Sequence, residues 1–102
     1  MADLVVIYKT PTDPAAFNKY YAETHIPLAK KLPGLRKYQV SRGDVAGPAG
    51  PTGVHLVATL TFDSVAAIQD AFASPEGQAA AGDLPNFASG GADLLFFDTK
   101  EV

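Results

Sequence analysis

Apolar and polar positions recur with two different periods along this chain, and the order in which the periods change predicts its architecture. Leu4-Val5-Val6-Ile7-Tyr8 is a short β-branched run without a polar face, which predicts a strand. Thr10-Pro11-Thr12-Asp13-Pro14 interrupts it. Asp13 suits a helix N-cap, and Pro14 suits the first helical position, where its missing N–H costs nothing. Phe17, Tyr21, His25, Leu28 and Leu32 then share one helical face. A helix is expected from Pro14 to Thr24 or Ile26. Pro27 disturbs it, a further turn reaches Leu32, and Pro33-Gly34 ends it.

Leu35 to Arg42 reads as a second strand, with Arg36, Tyr38, Val40 and Arg42 on one face. Gly43 to Gly53 is rich in Gly and Pro and reads as an exposed hairpin loop. Val54 to Phe62 is the best-patterned strand. Val54, Leu56, Ala58, Leu60 and Phe62 form its apolar face, and His55, Val57, Thr59 and Thr61 its mixed face. Asp63 or Ser64 caps a second helix carrying Val65, Ile68 and Phe72, and Ser74-Pro75 restarts a short helix through Ala81, with Gly82 as its stop. Asp83 to Gly91 is expected to be a loop, and Ala92 to Thr99 the last strand.

The resulting order, βαββαβ, is that of an α+β, ferredoxin-like domain with a four-stranded antiparallel sheet. Helices cover such a sheet on one face only. Yet the first and last strands are apolar on both faces, with Val5 and Ile7 opposite Leu4, Val6 and Tyr8, and Leu95 and Phe97 opposite Leu94 and Phe96. Burying one large side chain stabilises by about 1.5–3 kcal/mol, so several together drive association. A homodimer with two sheets packed face to face is therefore expected.

Composition narrows the partners. The 102 residues suit a single domain spanning 1–102. A net charge of -3 argues against nucleic acid, since Lys30, Lys31, Arg36 and Lys37 form only a short basic cluster. The absence of cysteine excludes disulfides, thiol catalysis and thiolate metal sites, and fits a cytoplasmic protein. No apolar run approaches the roughly 20 residues of a membrane span, so no membrane partner is expected.

The candidate chemistry centres on His25, an ionisable imidazole on a stripe meant for the interior. A free imidazole titrates near pH ~6.5, so its surroundings decide its charge at neutral pH. Facing solid core, it would donate to a backbone carbonyl, and Pro27 frees that of Glu23. Facing a cavity, it would transfer protons. Tyr38 and His55 are the candidates to polarise a substrate oxygen beside it. Tyr8, Tyr21 and Arg36 are the candidate substrate-binding residues, with Arg36 suited to a carboxylate. Each has a plainer alternative: packing for the tyrosines, and a solvated strand position for His55 and Arg36. No metal is expected, because His25 with Glu23 lacks a ligand spacing.

Tyr8-Lys9, Asp13-Pro14-Ala15-Ala16-Phe17, Tyr20-Tyr21, His25-Ile26-Pro27-Leu28 and Leu32-Pro33-Gly34-Leu35-Arg36 together resemble the EthD family, named for ethyl tert-butyl ether degradation. The later half resembles it in layout more than in motif, best at Phe72 to Gly77. The resemblance implies a dimeric α/β barrel, with His25 at the position of a candidate acid–base group; no cofactor is expected, since the chain shows no haem-specific motif. Three functions are then open. The chain is an enzyme binding a small oxygenated molecule in the barrel and catalysing isomerisation, dehydration or lactone chemistry. Or it is a non-catalytic carrier or accessory subunit of an oxidative degradation system. Or it is a structural dimer whose barrel is filled by side chains such as Tyr8 and Phe96.

Overall fold

The computed structural model describes residues 1–102. Its centre is strand β1, Ala2–Lys9, which pairs antiparallel on both edges, with Leu4, Val6 and Tyr8 buried on one face and Val5 and Ile7 half-buried on the other. The other sheet strands are β2 (Lys37–Val40), β5 (Val54–Phe62) and β6 (Ala92–Asp98), with β3 (Ala46–Gly47) and β4 (Gly50–Pro51) forming a small separate ribbon inside the expected hairpin loop. The sheet order is β2-β5-β1-β6, with every pairing antiparallel. The α+β, ferredoxin-like layout expected from the sequence is the observed one.

Strand alternation sorts the side chains. Leu4, Val6 and Tyr8 of β1 lie opposite Leu60, Ala58 and Leu56 of β5, and all six face the helical layer. Tyr38 joins that face by pairing with Leu60. The helices are α1 (Pro14–Tyr20), α2 (Ile26–Ala29), α3 (Val65–Ala73) and α4 (Pro75–Asp83). Asp13 caps α1, its carboxylate accepting from the Ala16 N–H at 3.1 Å, and Ser64 caps α3 through the Ala67 N–H at 3.0 Å. Phe17, Tyr21, Ile68 and Ala71 bring the helices onto the sheet and close the core.

Two local features depart from the sequence reading. Between α1 and α2 the chain makes a π turn, Tyr21–His25, whose wider winding passes the Ile26 N–H to the Tyr21 carbonyl. Pro27 supplies the cause, since it has no N–H for the ordinary α register. At the other end, α4 runs through Gly82 to Asp83 and continues as a single 3-10 turn, Leu84–Asn86, where a loop is expected. Gly82 lacks the positive φ of a helix-ending glycine.

α4 can lie close to α3 only because Gly77 has no side chain. A Cβ there would stand 1.9 Å from the Ala71 carbonyl oxygen. Gly77→Ala is therefore expected to push the two helices apart and lower stability by about 2–3 kcal/mol. A urea midpoint within error of the parent would show that the contact yields freely.

Candidate functional site

His25 ends the π turn, and that turn aims it inward, where 5% of its surface is exposed. Its Nδ1 lies 3.0 Å from Oδ2 of Asp83. A carboxylate only accepts, so Nδ1 carries a proton, and in the neutral imidazole the lone pair is on Nε2. Nε2 has no hydrogen-bond partner in the chain, yet no buried side-chain nitrogen is left unpartnered, so it retains access to open space. Histidine thus finds a carboxylate, where the packed alternative offered a backbone carbonyl.

Asp83 is held on every side. Its Oδ1 accepts from the Tyr20 hydroxyl at 2.6 Å and from Asn86 Nδ2 at 2.9 Å. Burial alone would push its carboxyl up, but these two hydrogen bonds and the one from His25 together outweigh burial and hold it below its ordinary value. Asp83 is therefore ionised at neutral pH, and its bond to Nδ1 orients the imidazole.

The tyrosines form a second group. The hydroxyls of Tyr21 and Tyr38 are 2.5 Å apart, so Tyr21 bonds to Tyr38 and not to His25. Burial raises Tyr21, Tyr38 and Tyr8 above the usual phenol value, and the proximity of Tyr38 adds to the shift at Tyr8 and Tyr21. All three remain neutral donors at ordinary pH. The three hydroxyls stand in one chain, Tyr8 with Tyr21 and Tyr21 with Tyr38, so three protons serve two contacts and one is left to donate.

His25, Tyr8, Tyr21 and Tyr38 share the lining of one pocket between the helices and the sheet, enclosing about 40 Å³. Its walls are Leu4, Val6, Ala58, Leu60 and the α4 residues Gly77 and Ala80; only Ala81 and Leu94 among the lining residues are exposed. They mark its mouth, between α4 and edge strand β6. The enclosed space holds only a few waters, so a bound molecule is compact or extends through that mouth. The pocket lies on the helical side of the sheet. The face available to a second sheet is the opposite one, so a ligand in this pocket would not sit between two sheets.

Two candidates stand elsewhere. Arg36 is joined to Asp63 by two hydrogen bonds, Nε to Oδ1 at 3.1 Å and Nη2 to Oδ2 at 2.9 Å, on the surface and outside the pocket. The Asp63 hydrogen bond raises Arg36, and the reciprocal bond lowers Asp63. His55 is also outside. The register of β1 against β5 shifts between Tyr8 and Lys9, leaving His55 unpaired and turning its ring against Phe17, 4.8 Å between centroids. Its Nε2 lies 2.7 Å from Oδ1 of Asn18. The structure therefore joins His25 with Tyr8, Tyr21 and Tyr38, and leaves out Arg36 and His55.

Three residues of the site carried no sequence-level signal of their role: Asp83, Asn86 and Phe87, all in the segment expected to be a loop. Phe87 packs with its ring centroid 4.7 Å from that of His25 and 5.4 Å from that of Tyr20, walling the His25–Asp83 hydrogen bond from solvent. The one available cue was an acidic residue just past a helical run, where the helix dipole disfavours a negative charge unless a partner offsets it.

Comparison with known proteins agrees with this architecture. The EthD domain matches residues 9–91. An 11.0 kDa protein from the thcB-thcC intergenic region of Rhodococcus erythropolis is 40% identical over 102 residues, covering 100% of this chain and 98% of the relative. A crystal structure of an ethyl tert-butyl ether degradation family protein from Bacillus halodurans has 33% identity and a TM-score of 0.89, covering 98% of this chain and 99% of that one. SnoaB, a cofactor-independent oxygenase from Streptomyces nogalater, shares the fold at 19% identity and a TM-score of 0.67, over 99% of this chain and 94% of its own. With the EthD domain matched over most of its length and a solved EthD protein superposing on nearly all of it, the chain belongs to the EthD domain family.

Proposed function

We propose that this protein is a cofactor-independent acid–base enzyme of small oxygenated organic molecules. The observation that carries the reading is the paired histidine: Asp83 holds Nδ1, and the free Nε2 lies at a pocket with tyrosine hydroxyls on its wall. His25 Nε2 takes a proton from a carbon beside a carbonyl, or from a hydroxyl. Asp83 stabilises the imidazolium that forms. The spare proton of the Tyr8–Tyr21–Tyr38 chain hydrogen-bonds the oxyanion. Returning the proton to another carbon isomerises the substrate; returning it to a leaving hydroxyl expels water.

A homodimer completes the reading. The sheet face away from the helices presents Leu95, 52% exposed, and Phe97, 44% exposed, alongside Val5 and Ile7. A second copy is the occupant whose own apolar face matches it. The cysteine-free chain suits the reducing cytoplasm.

The test needs no natural substrate. Solvent deuterium exchange into cyclohexanone, followed by NMR, reports proton abstraction directly. The wild type is expected to exceed the buffer rate, and His25→Gln to lose about 10²-fold or more of that excess, with its circular dichroism unchanged. Equal exchange by both proteins would overturn the catalytic reading. Binding without exchange would leave the carrier reading in its place.

A further inference from the structure

The lining of the His25 pocket is almost wholly apolar. Fourteen of its 16 lining residues are hydrophobic, the other two being His25 and Gly77, and neither lysine nor arginine is among them. Arg36 is committed to Asp63, Lys9 lies 3.3 Å from Asp93, and Lys30 and Lys31 are exposed. Behind the imidazole stands the buried carboxylate of Asp83. An entering carboxylate or phosphate would shed its hydration against an apolar wall and meet the field of that aspartate with only the imidazole between them. A neutral molecule bears no such cost.

We infer that the pocket takes uncharged, weakly acidic oxygen compounds and refuses carboxylates and phosphates of the same size. The substrate class is phenols and enolisable carbonyl compounds, whose conjugate base is a delocalised oxyanion. The inference rests on the reading of His25 as a base. In the transfer, the O–H or C–H proton passes to Nε2 and the electron pair stays on the substrate as the oxyanion. Asp83, imidazolium and oxyanion then carry the same total charge as before, so the apolar pocket gains no net charge. The spare tyrosine proton lies on the same pocket wall.

Two probes of one shape separate charge from fit: 4-nitrophenol and 4-nitrobenzoate, titrated by NMR and calorimetry at mildly acidic pH. The phenol is expected to move the His25 ring signals and to bind about 100-fold more tightly than the carboxylate. Leu94→Lys, which sets a cation at the mouth, is expected to raise 4-nitrobenzoate affinity by about 10-fold. If 4-nitrobenzoate binds the wild type as tightly and moves the same signals, the substrate class is wrong while the pocket stands. If the phenol binds without moving His25, or its phenolate absorbance on binding is unchanged in His25→Gln, the base reading fails. Failure of both probes to bind removes both.

Discussion

Asp83→Asn is expected to lower folding stability by about 2–3 kcal/mol and to reduce the deuterium-exchange activity about 10²-fold or more. The carboxylate receives three hydrogen bonds, from His25, Tyr20 and Asn86, and an amide cannot accept all three without turning its own N–H groups toward a donor. The least disruptive outcome has the Asn amide donate to Nδ1 of His25. The imidazole then carries its proton on Nε2 and can no longer accept one there. Nitrogen chemical shifts of the His25 ring read that tautomer directly. An unchanged tautomer with unchanged activity would reduce Asp83 to a packing residue.

The same carboxylate sets an acid dependence. Its folded value lies below the ordinary 3.8, so the folded state binds this proton less readily than the unfolded chain. Its contribution is complete above about pH 4 and is lost as pH falls through the folded value. Urea midpoints of the wild type should therefore fall between pH 5 and pH 3 more steeply than those of Asp83→Asn, which lacks the group. Parallel lines would overturn that linkage.

The second large effect is on assembly. Replacing both Leu95 and Phe97 with glutamate is expected to convert a dimer to a monomer. Each side chain is about half exposed in the single chain, so burial by a partner adds roughly half of the full 1.5–3 kcal/mol. Four such side chains per dimer contribute about 3–6 kcal/mol, a factor of about 100 to 10⁴ in dissociation constant before charge repulsion is counted. Analytical ultracentrifugation of wild type and variant gives the answer, with circular dichroism to show an intact sheet. A wild type that sediments as a monomer, or a variant that stays dimeric, would remove the sheet face as the interface.

Much of this molecule is legible along the chain because its strands and caps obey local rules. Val54–Phe62 alternates cleanly, and its observed bounds are the expected ones. Asp13 and Ser64 cap as their chemistry suggests. The departures at the site share a cause that those in the helices do not, which is contact between residues distant in sequence. Asp83 is 58 residues from His25, and nothing near it announces a histidine partner. Tyr21 was placed on the His25 stripe by periodicity, but its hydroxyl is claimed by Tyr38 across the layers. His55 belongs to the mixed face by strand parity, until a one-residue bulge turns it toward α1. Arg36 does hold a carboxylate, but that of Asp63, 27 positions away. The cavity's side of the sheet depended on which alternating face the helices cover, a choice that two-faced apolar strands leave open.

The π turn at Tyr21–His25 makes length a constraint in its own right. Substitutions in this segment change one side chain each and leave the winding alone. Removal of one residue would let an ordinary helix close, with Ile26 bonding to Tyr21 four residues back. The helices on either side would keep their register, and the change would fall on the turn that presents His25 to Asp83. The segment is thus best understood as a helix carrying one inserted residue, and the His25–Asp83 contact as what that insertion maintains.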